Sequence, residues 1–447
     1  MNGFAMKVLA AATLALVGFG ASAQGMPLSS APSNSVLIRN ATVHTAGAQG
    51  SLQNADVLIS DGVVRQVGSG LVAPAGAQVV DAQNRPLTPT LFGGITEIGL
   101  EEVSGERSTV DVTLGLGAET KQMTVRPEFD VTLAYNPAST LVPVTRIEGI
   151  GWTVLGAGTG SGGSIIGGQG GVVRLDGSLD PVGERVLFVD LGGRAAGLSG
   201  NSRAAQWMIL DQLIDEVRGR IGADANAALL TPAGRRTLAT YLDDGGRVMV
   251  GVHRASDIRQ LLRWAERHDV RIAIAGGAEA WKVASELAAA DVPVFVDPLG
   301  NLPGDFDQIG ATMENAARLD AAGVEVSFSQ SGDASHNARK VRQLAGNAVA
   351  AGLPWAAGLA GLTTVPAEAL GVGDRIGRIA PGLRADLVLW SGDPLEVNSV
   401  ATQVWMNGQP IQMRSRQTEL RDRYLRPRVP AENGGLPLAY PAVDARK

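Results

Sequence analysis

The chain has 447 residues, 38 Lys+Arg against 44 Asp+Glu, a formal net charge of -6, and no cysteine. With 45% apolar and 18% charged residues it is neither disordered nor fibrous, and the absence of cysteine excludes a disulfide scaffold and any cysteine-ligated zinc or iron–sulfur site. The mild acidity gives no support for nucleic-acid binding, and 58 glycines, nearly double the usual share of about 7%, require many tight turns or close backbone approaches.

Met1 to Ala23 reads as a secretory signal peptide. Lys7 is its only charge, Val8 to Gly20 is apolar, and Ala21-Ser22-Ala23 supplies a small-x-small cleavage site. The apolar run is shorter than the roughly 20 residues that span a bilayer, and no later segment is long and apolar enough to do so. The expectation is cleavage after Ala23 and a periplasmic or secreted protein with no membrane span. Gly25 to Ser35 reads as a small, polar leader.

Ser35 to Ala82 alternates short β-rich runs with turns, and Ser60-Asp61-Gly62 between two of them signals a hairpin. From about Ile150 to Ser329, β runs (151–156, 185–190, 247–252, 270–275, 292–297 and 324–329) alternate with amphipathic stretches. In Ser256 to His268 the side chains of Ile258, Leu261, Leu262 and Ala265 share one face; Ser256 is the expected N-cap, with Asp257 in the first turn. Glu279 to Ala290 is a second such stretch. Strands alternating with helices predict βα units and a mainly parallel sheet, buried on both faces. That pattern fits an open doubly wound sheet and a closed barrel alike. After Leu362 come a short helix, Pro366 to Leu370, and a second β-rich block (375–392, 400–411) with a hairpin signal at Asn407-Gly408. The tail from Ser415 reads as one short helix and an extended end. The two β blocks flank the βα core in sequence and could form one sheet domain in space.

Four histidines are present. His44 lies in the first β block and His268 at a helix end beside Arg267 and Asp269, which leaves His253 and His336. His253 follows an apolar strand and precedes a helix, so it is a candidate general base or ligand, or a hydrogen-bonded structural histidine. His336 sits in a Ser/Asn-rich loop that could equally start a helix. Arg254 and Asp257 are expected to form a local ion pair. Gly156 to Gly171 contains Gly158-x-Gly160-x-x-Gly163, the spacing of a dinucleotide fingerprint, but that motif opens a helix at its third glycine, and here the sequence continues as strand or loop. Backbone N–H groups at Gly160 and Gly163 could bind an anionic group; a flexible packed loop is the favoured reading. No Ser-x-x-Lys or Gly-x-Ser-x-Gly motif is evident. Trp207, Trp264, Trp281 and Trp355 fall in helical stretches as packing residues.

The run Pro366-Ala367-Glu368-Ala369-Leu370-Gly371, then Asp374-Arg375-Ile376-Gly377 and Ala380-Pro381-Gly382-Leu383-Arg384-Ala385-Asp386-Leu387-Val388, resembles a signature of the amidohydrolase superfamily, in particular its exported imidazolonepropionase-like members. Val36 to Leu91, His253 to Ile258 and Asn337-Ala338-Arg339 are similar to the same proteins. The resemblance implies an α/β fold, a (β/α)8 TIM-type barrel over 89–372. A composite β-sandwich would be formed by 24–88 and 373–412, with the signal peptide at 1–23 and a tail at 413–447.

It also implies an exported hydrolase of C–N bonds, other than peptide bonds, in small cyclic amides or in peptide-like or ureido compounds. The divalent metal, zinc or manganese, would lower the pKa of a bound water from about 15.7 toward 7. Aligned on Pro89-Thr90-Leu91 and Gly99-Leu100, however, the family's His-x-His falls on Ile95 and Glu97. The fifth-strand histidine falls on Gly251, two residues before His253, and the sixth-strand histidine on about Gly276. Asp190 is the acid nearest the fourth-strand ligand, and Asp333 stands near the late aspartate. The standard two-metal site cannot be assembled from these residues. Glu97, Asp190, His253 and Asp333 remain as candidate metal ligands, His253, Glu97 and Asp333 as candidate catalytic groups, and Gly160, Gly163 and His336 as candidate ligand-binding positions. The alternative is a catalytically inactive barrel, a pseudoenzyme, that binds a small ligand or a protein partner in the periplasm. The expected partner is a small-molecule substrate or ligand, not a nucleic acid, and association into a homo-oligomer stays open.

Overall fold

The computed structural model describes residues 34–114, 125–160, 163–223 and 225–425. The expected signal peptide and the end of the tail lie outside these. Five strands open the chain: β1 (Ser35–His44), β2 (Ser51–Ser60), β3 (Val63–Gly68), β4 (Gln78–Asp81) and β5 (Pro86–Pro89). Eight follow: β6 (Leu91–Thr96), β7 (Ile150–Leu155), β8 (Ile166–Arg174), β9 (Val182–Asp190), β10 (Arg247–Val252), β11 (Arg271–Gly276), β12 (Val294–Val296) and β13 (Val326–Phe328). Three close it: β14 (Leu387–Trp390), β15 (Ala401–Met406) and β16 (Gln409–Pro410).

The outer strands form one sheet in the order β16-β15-β14-β5-β1-β2-β3, with β4 on β1. Its N- and C-terminal parts join where β14 pairs antiparallel with β5, Leu387 opposite Pro89. Both hairpins signalled in the sequence are present. Asp61 and Gly62 have φ 54° and 78°, and Asn407 and Gly408 have φ 53° and 71°, the paired positive φ values that a two-residue hairpin turn needs.

The inner strands form a nearly closed barrel sheet in the order β13-β12-β11-β10-β9-β8-β7-β6. Its two ends are linked by a side chain: the Ile95 N–H donates to Ser329 Oγ at 3.0 Å. β9 to β13 pair in parallel, and β6 pairs in parallel with β7. β8 runs against both neighbours. Only Ile166 to Gly171 of the glycine-rich stretch lies in this strand, where most residues are buried in the barrel wall, so the rejected dinucleotide fingerprint leads into a strand and not a helix. At Gly170 a Cβ would overlap the Leu155 carbonyl, so glycine lets the two backbones close up.

Burial follows the sequence pattern. β7 and β12 to β14 are buried throughout, as a sheet covered on both faces requires. The helix Ala255–His268 buries Ile258, Leu261 and Ala265 as expected, together with Trp264. Its N-cap is Arg254, not Ser256; the helix begins two residues earlier than that cap implies, with Asp257 in its first turn. Trp390 fixes the sheet domain to the barrel: its Nε1 donates to Thr88 Oγ1 at 2.9 Å, and its ring packs against Gly149, before β7. Among the described residues no helix is long and apolar enough to cross a membrane.

Candidate active site at the barrel mouth

All barrel strands except β8 point the same way, so their C-terminal ends share one mouth, the end where barrel chemistry is built. Glu97 is the first residue past β6. The chain turns there, with Leu100 and Glu101 N–H groups donating to the Glu97 carbonyl at 2.8 and 2.9 Å. This turn brings the Glu101 carboxyl back onto the Glu97 carboxyl, and the two share a hydrogen bond. The Glu97 N–H donates to Ser335 Oγ at 2.9 Å, which fastens the end of β6 to the segment after β13. That segment brings in Asp333, held at φ 44°. Burial, the bond with Glu101 and the charges of Glu101 and Asp333 push the Glu97 carboxyl up to about 7. His336 joins at the rim, its Nδ1 2.9 Å from Asp333 Oδ1. Glu97, Asp333 and His336 therefore form one cluster, with Glu101 as its fourth member. Glu101 belongs to no motif in the sequence; the turn after β6 singles it out.

His253 and Asp190 lie elsewhere on the mouth. In the sheet order β10 stands four strands from β6, so His253 is on the other side of the barrel from Glu97. Asp190 ends β9 and is in register with Gly251. Its Oδ2 accepts from Thr159 Oγ1 at 2.6 Å. Burial raises its pKa and the Thr159 bond opposes this. A Cβ at Gly251 would overlap the Asp190 carboxylate. The His253 ring covers Gly276: a Cβ there would come within 2.9 Å of Nδ1 and 3.0 Å of Nε2. Burial, and then the Arg194 charge, lower the His253 pKa, and its Nδ1 is buried without a hydrogen-bond partner.

The expected Arg254–Asp257 pair does not form, because Asp257 is taken by another arginine. Arg203 Nε lies 3.1 Å from Asp257, and its Nη2 bonds Asp307. Asp307 also accepts from the Gly193 N–H at 2.6 Å. These contacts tie the loop after β12 to the ends of β9 and β10. At the glycine loop, the Gly163 N–H is used by the Gly160 carbonyl at 2.9 Å, so it is not free for an anion. The cleft beside these glycines, with Arg126 and Thr159, holds about 10 Å³, room for about one water. A far larger cavity, 1150 Å³, opens at the opposite end of the barrel among Arg247, Arg271, Glu325 and Glu368. It holds none of the candidate groups and lies on the face associated with stability rather than chemistry.

The residues do not fit the metal centre implied by the resemblance. Ile95 has no donor. The spaces at Gly251 and Gly276, where strand-end imidazoles would start, are filled by Asp190 and His253. Among the described residues no group of three or more His, Asp or Glu side chains is placed to hold a metal ion.

Comparison with known proteins bears on this geometry. The amidohydrolase family model matches residues 225–413. An amidohydrolase from Thermotoga maritima MSB8 superposes with a TM-score of 0.72 at 26% identity, over 85% of this chain and 100% of that one. A curated relative, amidohydrolase tasK of Hapsidospora irregularis, is 51% identical over 57 residues, which is 13% of this chain and 6% of the relative's length. An adenosine deaminase from Xanthomonas campestris, with bound zinc, covers 84% of this chain and 92% of its own at 20% identity and a TM-score of 0.47, a likeness too low to bear on activity. Over residues 225–413, and in its barrel with a composite sheet, the chain is similar to amidohydrolases.

Proposed function

We propose that the chain is an exported hydrolase of C–N bonds in small amide-like molecules, cyclic amides and ureido compounds among them, which activates water with carboxyl groups. The observation that carries this is the hydrogen-bonded Glu97–Glu101 pair at the mouth end of β6. Two carboxyls in one site share a proton, so one is a base while the other is an acid. The ionised carboxylate takes a proton from water as the water oxygen adds to the amide carbon. The protonated carboxyl gives its proton to the departing nitrogen as the C–N bond breaks. The amidohydrolase family match over residues 225–413 and the position at the C-terminal ends of the strands support the reading. The test is turnover of a panel of small amides: Glu97→Gln is expected to lower kcat by roughly 10²–10⁴, and unchanged turnover removes the assignment.

A second reading, a barrel that binds a ligand without turning it over, is favoured by Gly251 and Gly276, which present no side chain where ligands are expected. Reproducible hydrolysis abolished by Glu97→Gln ends it.

A further inference from the structure

We propose that the cavity at the N-terminal ends of the barrel strands binds a small zwitterion of tripeptide length, its carboxylate on Arg247 and Arg271 and its ammonium on Asp291 and Glu325. The site lies at the far end of the barrel from Glu97 and does not rest on the hydrolase reading.

The barrel brings these four side chains together. β10 begins at Arg247 and β11 at Arg271, and the two are directly opposite in the parallel ladder. Two residues on, Met249 and Ala273 pack with Phe188 and Phe295 in the core that the strands enclose. The two arginines therefore begin inward-facing rows. Gly371, at φ 71°, leaves room for one of them, since any Cβ there would overlap the Arg247 guanidinium. The next strands bring carboxylates. Asp291 stands three residues before β12. Glu325 immediately precedes β13, and its carbonyl accepts from the Val294 N–H at 2.9 Å. All four residues line one cavity of 1150 Å³. In strand order, cations at β10 and β11 are followed by anions at β12 and β13.

Among the described residues none of these four side chains forms an ion pair. Burial and the Arg271 charge lower the Arg247 pKa, and Glu184 and Glu368 oppose this only from a distance. Burial and the charges of Asp291 and Glu368 raise that of Glu325. Each half of the cavity thus holds like charges that an opposite charge would relieve. The other lining groups do not supply it. Glu368 is bonded to Arg378 and Glu286 to Arg259. Arg263, Glu266 and Asp269 belong to the helix Ala255–His268 and its C-cap. Unpaired arginines and carboxylates nearly balance, so the cavity favours a molecule carrying both signs over a simple anion or cation. A guanidinium fork matches its carboxylate. Neighbouring strands are about 4.8 Å apart, so the two steps from β11 to β13 span about 10 Å, the extended length of about three residues.

Isothermal titration of the full chain with triglycine, N-acetyltriglycine and triglycine amide tests this. Triglycine is expected to bind roughly tenfold more tightly than either blocked form, the scale of one charge-assisted hydrogen bond. Arg271→Met is expected to lose most of the preference over the amide and to keep that over the N-acetyl form. Glu325→Gln is expected to do the reverse. Both residues are exposed, so each variant is expected to keep the wild-type circular dichroism. Should one not fold, the wild type still decides, because both preferences must shrink as salt rises. Equal binding of the three probes, binding of none, a salt-independent preference, or variants that do not divide the two preferences in this way overturns the proposal. Glu97→Gln is expected to bind triglycine as the wild type does; a loss there would place the peptide at the mouth and overturn the assignment.

Discussion

Asp190 and Gly251 face each other across the β9–β10 ladder, and the Asp190 carboxylate lies where a side chain at 251 would have to begin. Any Cβ at 251 must displace a buried carboxylate that already holds Thr159. Gly251→Ala is therefore expected to cost about 1–3 kcal/mol, the usual scale of overpacking, read by urea denaturation. In an Asp190→Gly background the same substitution should cost clearly less, because the two sites share one space. Equal costs in the two backgrounds would show that the carboxylate is not the obstacle.

The same crowding bears on metal. Zinc or manganese supplied to the purified protein is expected to remain well below one ion per chain after desalting, measured by elemental analysis. A stoichiometric ion would mean that the donor set at the mouth has been read wrongly.

Glu97 makes stability depend on pH. Its carboxyl ordinarily titrates at 4.5 and is pushed up to about 7 in the folded chain. Between those values the folded state holds a proton that the unfolded state has released, so this group's contribution is full below about 4.5 and is lost as pH rises through 7. For a site that is partly open to solvent the loss is roughly 1–2 kcal/mol after allowance for screening. Glu97→Gln should flatten the melting temperature over that window and leave the variant relatively more stable above it. A parallel offset at all pH values would refute the shift.

His253 works in the opposite direction. Burial lowers its pKa, so protonation is resisted in the folded state and stability is lost as pH falls below 6.5, the unfolded value. His253→Leu fills a similar volume and removes a buried nitrogen with no partner. It is expected to be neutral or slightly stabilising at pH 7 and to lessen the acid sensitivity. His44 and His268 also have lowered values, so the comparison is with the wild type at each pH. A loss of more than about 2 kcal/mol at pH 7, outside that neutral range, would assign the ring a bond that the geometry lacks.

Arg203→Met strips the partner from Asp257 and Asp307, both buried. The expected cost is about 2–3 kcal/mol, below the 3–5 typical of a fully buried pair because Arg203 is 35% exposed. The loop after β12 carries exposed Leu302, Phe306 and Ile309 and is tied down through Asp307, so limited proteolysis should cut it faster in the variant. Unchanged cleavage would show that the loop is held by other contacts.

Much of this architecture was legible before any coordinates. Strand and helix periods, the Asp61-Gly62 and Asn407-Gly408 turns, and the resemblance around Pro366 to Val388 led to the barrel and the composite sheet, because turn chemistry and hydrophobic period are local properties of the chain. The β8 strand was less so. Its glycines resemble a loop by composition, and become a strand only because Leu155 leaves no room for a side chain at Gly170.

The candidate site divides in the same way. Four histidines and no cysteine cannot supply the ligand set that the resemblance implies, and alignment on that resemblance marked Glu97, His253 and Asp333. Which of these meet depended on the closing of the barrel. It set β6 beside the end of β13, joining Glu97 to Asp333 through Ser335, and put β10 across the mouth with His253. Glu101 gained its role from one turn of backbone, and Arg203 took Asp257 from Arg254 across more than fifty residues of chain. Side chains remote in sequence acquire their neighbours, and with them their charge and acidity, only when the strands that carry them are packed into one sheet.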